Sequence, residues 1–216
     1  MSDHATKFKR EPAEQRKEAL IQATLSLIAE QGLQGATVRA IAERASVTQG
    51  LIRHYFSSKE DLITAAYDFH MRRLTDMTSA PADGDYSTAR LRLATFVTTG
   101  LTHPVVDPGS VSLWAGFLNK VLADDKMQAI HEQTYRDFRD RLESLIADAL
   151  NEVGIPASPA ELRRLAIACN AVVDGLWMEG GALPYAFEPD ELPKIGLASV
   201  GAIIGVELTD LEQRQT

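Results

Sequence analysis

The chain holds one cysteine in 216 residues, few aromatics and no long apolar run. Each shortage excludes something. Cys169 alone cannot form an intrachain disulfide, and its place in an apolar helical stretch marks it as an inert core thiol. The longest apolar run, residues 195–206, has twelve members and is too short to span a bilayer. The N-terminus is polar and charged, unlike a secretory signal. A soluble, cytoplasmic protein with no membrane partner is expected. Sustained period-two alternation is missing, which argues against a sheet.

Enzyme constellations are missing as well. His131-Glu132 opens like a zinc-protease motif, but Tyr135 stands where the second histidine ligand would be. Gly32-Leu33-Gln34-Gly35 has neither the spacing of a phosphate loop nor a strand before it. No cofactor, metal or catalytic residue is expected. Basic charge is scarce too: 22 Lys+Arg face 30 Asp+Glu, a net of −8, which argues against a general nucleic-acid coat protein. The imbalance is uneven. Residues 1–60 carry a net of +2 and the remainder −10. A mildly basic head on an acidic body suits a protein that touches DNA at one end, although surface variation alone can produce such a split.

What is present is helical and punctuated. In residues 37–62, TVRAIAERASVTQGLIRHYFSSKEDL, Thr37 is a candidate N-cap, and Val38, Ile41, Ala42 and Ala45 recur at helical spacing. Ser46-Val47 interrupts them. Thr48 is a second candidate cap, and Leu51, Ile52, Tyr55 and Phe56 give the next helix a buried side. Gln49, Gly50, Arg53 and His54 are left to face outward. Ser57 and Glu60 have capping-box spacing ahead of Leu62, and Lys59 lies in a first helical turn, where phosphate is attracted. Two short helices, a tight turn and a capped third start outline a helix-turn-helix.

A first helix is expected over about 13–31 with Gly32 as its stop, and a fourth over about 58–79. APADGDYS at 80–87 is a break. Further helices are expected near 87–101, 110–123, 125–153, 158–181 and 190–208. The one starting at Ser158-Pro159-Ala160-Glu161 combines a capping box with proline at its first position. The fold class is all-α, with a head at 1–60 and a helical body at 61–216. In the last two helices Leu165 and Val172 lie on an apolar stripe, and Ala198, Gly201, Ile204 and Gly205 on a helix that is apolar round most of its circumference. Such a helix must be covered, inside the monomer or by a second copy. The body also holds Phe96, Trp114, Phe117, Tyr135, Phe138, Asp174, Trp177 and Glu179. Asp174 interrupts an apolar run. It is either a structural hydrogen-bond acceptor or the counter-charge for a cationic ligand held on tryptophan faces.

These residues resemble the tetracycline-repressor (TetR) family of bacterial transcription regulators. The resemblance runs from Ala19 through LIQATLSLIAEQG, TVRAIAERA and GLIRHYFSSKEDL. Gly50, Tyr55-Phe56 and Lys59-Glu60-Asp61-Leu62 fit the family pattern. Arg53 departs from it, standing where a phosphate-contacting tyrosine is usual. Ser46 also departs, standing where the turn often has glycine. The resemblance implies a repressor that binds a two-fold symmetric DNA operator as a homodimer and is released by a small molecule. It implies DNA contacts from Thr37, Arg39, Thr48, Gln49, Gly50, Arg53, His54, Tyr55 and Lys59. An N-terminal arm (Lys7, Lys9, Arg10) reaching the minor groove, and pairing of the last two helices with their copies, are implied in the same way. More diffusely, LWAGFL at 113–118, Tyr135, Arg136, Arg141 and VDGLW at 173–177 resemble the body of choline-responsive repressors within the family. That makes a small cation such as choline a candidate effector, with Phe96, Trp114, Phe117, Tyr135, Asp174 and Trp177 as candidate ligand contacts. A small helical enzyme and a helical adaptor for another protein are the competing classes. A specific DNA footprint separates the regulator from both.

Overall fold

The computed structural model describes residues 13–209. Among these there are helices and no strand: α1 (Ala13–Gly35), α2 (Val38–Arg44), α3 (Gln49–Tyr55), α4 (Lys59–Ser79), a 3₁₀ turn (Ala80–Asp83), α5 (Ala89–Gly100), α6 (Pro108–Val121), α7 (Asp125–Glu152), α8 (Pro159–Ala182) and α9 (Glu191–Ile204). The all-helical expectation holds. One compact unit ends at Tyr67 and a second begins at Asp68. The division lies within α4, whose first turns carry the buried Leu62, Ile63, Ala66 and Tyr67, against the boundary at residue 60 expected from sequence.

In the first unit, local chemistry sets each element. Gly32, at φ 70°, breaks the helical path of α1. The Thr37 hydroxyl accepts from the Ala40 N–H (3.1 Å) and caps α2. α2 ends in a Schellman motif. The Ser46 N–H donates to the Glu43 carbonyl (3.2 Å) and the Val47 N–H to the Ala42 carbonyl (2.9 Å). Ser46 itself sits at φ 54°, the left-handed region that favours glycine. Thr48 caps α3 through the Leu51 N–H at 3.3 Å. The start of α4 differs from expectation by one residue. Ser58 Oγ accepts from the Asp61 N–H (3.0 Å), and Ser57 donates to the Asp61 carboxylate instead of pairing with Glu60. Ser58 is the residue just before the first helical one, so its oxygen, not that of Ser57, is in reach of the third helical N–H.

The second unit is built round α5, α7, α8 and α9. Leu93, Phe96, Val97, Leu142, Leu145, Ile146, Cys169, Val173 and Val200 share one buried cluster. Each large apolar side chain so buried contributes roughly 1.5–3 kcal/mol. α8 starts with the expected capping box between Ser158 and Glu161. At Gly196 a Cβ would collide with the Leu101 side chain, so α9 lies close against its neighbour. At Gly201 a Cβ would lie 2.8 Å from the Val206 carbonyl oxygen. Gly201 and Ile204 are buried within their own chain. This corrects their expected place on a dimer surface: the small residue there admits the chain's own C-terminal turn. No helix is long and apolar enough to cross a membrane among the described residues.

Candidate nucleic-acid interface and ligand cavity

α3 turns Ile52 inward and leaves Gln49, Gly50, Arg53 and His54 exposed on the other side. Tyr55 is half-buried, and its ring meets that of His54 edge-on at 5.1 Å. Lys59 opens α4 half-buried, and Thr37 and Arg39 are exposed. Arg39 pairs with Glu43 at 2.9 Å one turn on, but both side chains are well exposed, so water screens the pair. Gly50 is informative. A Cβ there would meet only Thr48 Oγ1 at 3.7 Å, an ordinary contact. Among the described residues nothing demands glycine at a helical position where it costs about 1 kcal/mol relative to alanine. Lys7, Lys9 and Arg10 lie outside the described residues.

The second unit contains a cavity of about 80 Å³. Its walls come from α4 (Met71, Leu74, Thr75, Thr78), α6 (Trp114), α7 (Thr134, Tyr135, Phe138) and α8 (Asn170, Val173, Asp174, Trp177), with Gly100 and Val105. The two tryptophan rings stand edge to face at 6.2 Å. Trp177 Nε1 donates to the Val105 carbonyl at 2.9 Å, which fixes its ring. Burial pushes the Asp174 carboxyl up to about 6, against the opposing effect of the Asn170 amide, which donates to Asp174 Oδ2 at 2.9 Å. Burial, reinforced by the Asp174 charge, pushes the Tyr135 phenol up to about 12. The threonine hydroxyls donate back to their own helices, Thr75 to Met71 (3.2 Å), Thr78 to Leu74 (3.0 Å) and Thr134 to Ile130 (3.0 Å). Lysine, arginine and histidine are absent from the lining among the described residues.

Of the candidate ligand contacts, Trp114, Tyr135, Asp174 and Trp177 come together here, with Phe138. Phe96 and Phe117 do not. They are 1 % and 0 % exposed and belong to the packed interior, as aromatic side chains on inward helix faces do. Glu179 is exposed. The α4 residues and Asn170 were not legible as cavity residues. Asn170 left one signal: a polar side chain in the apolar stripe, one helical turn before Asp174.

The outer faces of α8 and α9 are apolar and open. Ile167 (41 % exposed), Ala168, Ala171 and Met178 (40 %) form one stripe, and Ile195 (39 %), Ala198, Ala202 and Gly205 another. Leu165 and Val172 are half-buried, Leu165 against the core.

A helix-turn-helix joined to a helical body with an internal cavity defines a class, the one-component transcription regulators. Family matching places the chain within it. Residues 20–66 match the bacterial regulatory proteins of the tetR family, and residues 89–205 match the BetI-type transcriptional repressor C-terminal domain. The chain belongs to the TetR family, with a BetI-type C-terminal domain. This is a family of DNA-binding transcription regulators, not of enzymes. The chain is 32% identical over 179 residues to the HTH-type transcriptional regulator BetI of Burkholderia thailandensis, covering 80% of this chain and 85% of that one. Against the BetI of Burkholderia ambifaria it is 29% identical over 165 residues, covering 76% and 81%. Among solved structures, a transcriptional regulator from Pseudomonas aeruginosa PAO1 superposes with a TM-score of 0.82 at 30% identity, covering 94% of this chain and 97% of that one. A regulator from Saccharomonospora viridis, crystallised with choline, superposes with a TM-score of 0.71 at 18% identity, covering 85% and 94%, and so shares the fold.

Proposed function

We propose that the protein is a homodimeric repressor that binds a two-fold symmetric operator and is released by a small cation entering the cavity of its second unit. The observation that carries this reading is the make-up of the cavity. Among the described residues one carboxylate, two tryptophans, a tyrosine and a phenylalanine line it, and no cationic side chain does. An aromatic box with a desolvated negative charge attracts a small cation of the ammonium type. The modest volume suits a ligand of a few heavy atoms. Choline is the first candidate, in keeping with the body's resemblance to choline-responsive repressors and with the choline-bound structural neighbour. The alternative role of Asp174, as a structural acceptor for Asn170, predicts no cation binding.

α4 supplies the coupling. It runs unbroken from Lys59 to Ser79, and Met71, Leu74, Thr75 and Thr78 along it line the cavity. A ligand that prefers one position of this helix shifts the population of DNA-competent protein by its differential affinity. Half-sites in the major groove lie about 34–36 Å apart, so a few ångströms at each recognition helix is enough to prevent simultaneous docking.

The open stripes on α8 and α9 support self-association through those helices, with Ile167, Ala171, Ile195, Ala198 and Ala202 at the contact. On the DNA side, Gln49 and His54 face the groove, Lys59, Thr37, Arg39, Thr48, Arg53 and Tyr55 the phosphates, and Gly50 permits close approach. Arg53 takes a phosphate role by its guanidinium fork. Selection of bound sequences from random DNA, followed by footprinting, tests the reading. A two-fold symmetric site is expected, and failure to enrich any sequence contradicts it.

A further inference from the structure

Asn170 is 8 % exposed and belongs to the cavity wall. Its Nδ2 donates to Asp174 Oδ2 at 2.9 Å, while its Oδ1 is buried with no hydrogen-bond partner. The orientation of the amide is not arbitrary. A carboxylate only accepts hydrogen bonds, so the NH₂ end must face Asp174, and the oxygen is the end left over. A buried acceptor without a partner is rare in native proteins and calls for a donor from somewhere. The neighbouring hydroxyls do not supply one: those of Thr75, Thr78 and Thr134 already donate to their own helices. Trp177 Nε1 is committed to Val105. The Tyr135 hydroxyl is paired with the Trp114 side chain and leaves Asn170 Oδ1 without a partner. The second torsion of an asparagine side chain is soft, so the amide can turn to meet a donor presented from the cavity.

Building on the cavity reading above, we infer that Asn170 determines specificity by accepting a hydrogen bond from the ligand, so that the effector is a small cation bearing an O–H or N–H donor. A bare quaternary ammonium of the same size fills the aromatic box but leaves the Asn170 oxygen orphaned. A cationic alcohol or a protonated amine satisfies both the charge of Asp174 and that oxygen.

Three probes of nearly equal size separate charge from donor: choline, propyltrimethylammonium, which replaces the hydroxyl by methyl, and 3,3-dimethylbutan-1-ol, which replaces the ammonium by a neutral carbon. Their dissociation constants are measured by calorimetry on the full chain and on Asn170→Ala. Wild type is expected to prefer choline over propyltrimethylammonium by about tenfold or more. In Asn170→Ala this ratio falls to near one, although both cations weaken together because Asp174 loses its amide partner. Equal binding of the two cations to wild type overturns the inference without any variant being needed. So does a choline preference that survives in Asn170→Ala, and Asn170→Leu, which keeps a similar outline without an acceptor, gives the same comparison if the alanine variant fails to fold. If neither cation binds but the neutral alcohol does so in an Asn170-dependent way, the donor role stands and the cation reading falls. If none of the three binds, both fall.

Discussion

α3 and α8 both carry polar residues, but in opposite surroundings, and the contrast separates the two tasks of the molecule. Gln49, Gly50, Arg53 and His54 of α3 stand in water. Among the described residues nothing packs over them, and Gly50 weakens the helix that holds it. Asn170 and Asp174 of α8 are withdrawn from water, and burial raises the Asp174 carboxyl. An exposed polar face costs little and waits for a large polyanion, whose phosphates attract it at long range. A buried one is costly until something fills it, and so it selects for a small complementary ligand.

The largest expected effect breaks the buried side of this comparison. Asp174→Asn keeps the shape and removes the charge. Choline affinity should drop by about two orders of magnitude, the scale of leaving a charge without its buried partner. The same variant should be more stable than wild type at pH 7. The folded pKa of Asp174, about 6, lies above its unfolded value, so the native state takes up a proton first and loses stability as pH rises from about 4 to 6. Removing the carboxyl lifts that penalty, by roughly 3 kcal/mol at most, readable in urea denaturation. His70 has the opposite slope. Burial lowers its pKa to about 4, so the stability it permits is present above 6.5 and lost as pH falls towards 4. In Asp174→Asn this acid loss is no longer offset and should steepen.

Next in size is the outer face of α8 and α9. Ala171→Arg or Ala202→Arg places a long cation on an open apolar stripe and should yield folded monomer in sedimentation. Gly201→Arg should instead destabilise the chain itself, since its side chain would strike the Val206 carbonyl. A folded dimer in all three variants would move the interface elsewhere.

On the exposed side, Gln49→Ala should relax preference at one position per half-site by about 1–3 kcal/mol. Lys59→Ala should weaken all sequences alike and flatten the salt dependence. Gly50→Ala should stabilise the free protein by up to about 1 kcal/mol and still weaken DNA binding. Thermal denaturation paired with a binding isotherm reads both. The smallest effect is at the turn, where Ser46→Gly should add about 1 kcal/mol by relieving the left-handed backbone, with DNA binding unchanged.

Much of this was legible in the sequence, for reasons that differ by residue. Thr37, Thr48 and Ser158 act at helix starts through local hydrogen bonds that depend on a few neighbours, and spacing alone revealed them. Ser57 and Ser58 offer the same capping chemistry in sequence, and only backbone geometry chooses Ser58. Phe96 and Phe117 looked like ligand contacts because an aromatic residue type does not say which way its helix faces. Gly201 signalled a close approach but not by what. The α4 wall of the cavity was hidden for the same reason: Met71 and Leu74 read as ordinary apolar positions until α6, α7 and α8 are set against them.

The central claim is that the buried charge of the second unit governs the exposed face of the first. The direct test is fluorescence anisotropy of a labelled operator, held on the protein at pH 7.5 and titrated with choline, for wild type and Asp174→Asn. The account predicts release from wild type at choline concentrations that leave the variant bound, with both proteins gripping the operator equally when choline is absent. Equal release from the two proteins, or none from wild type, would contradict it.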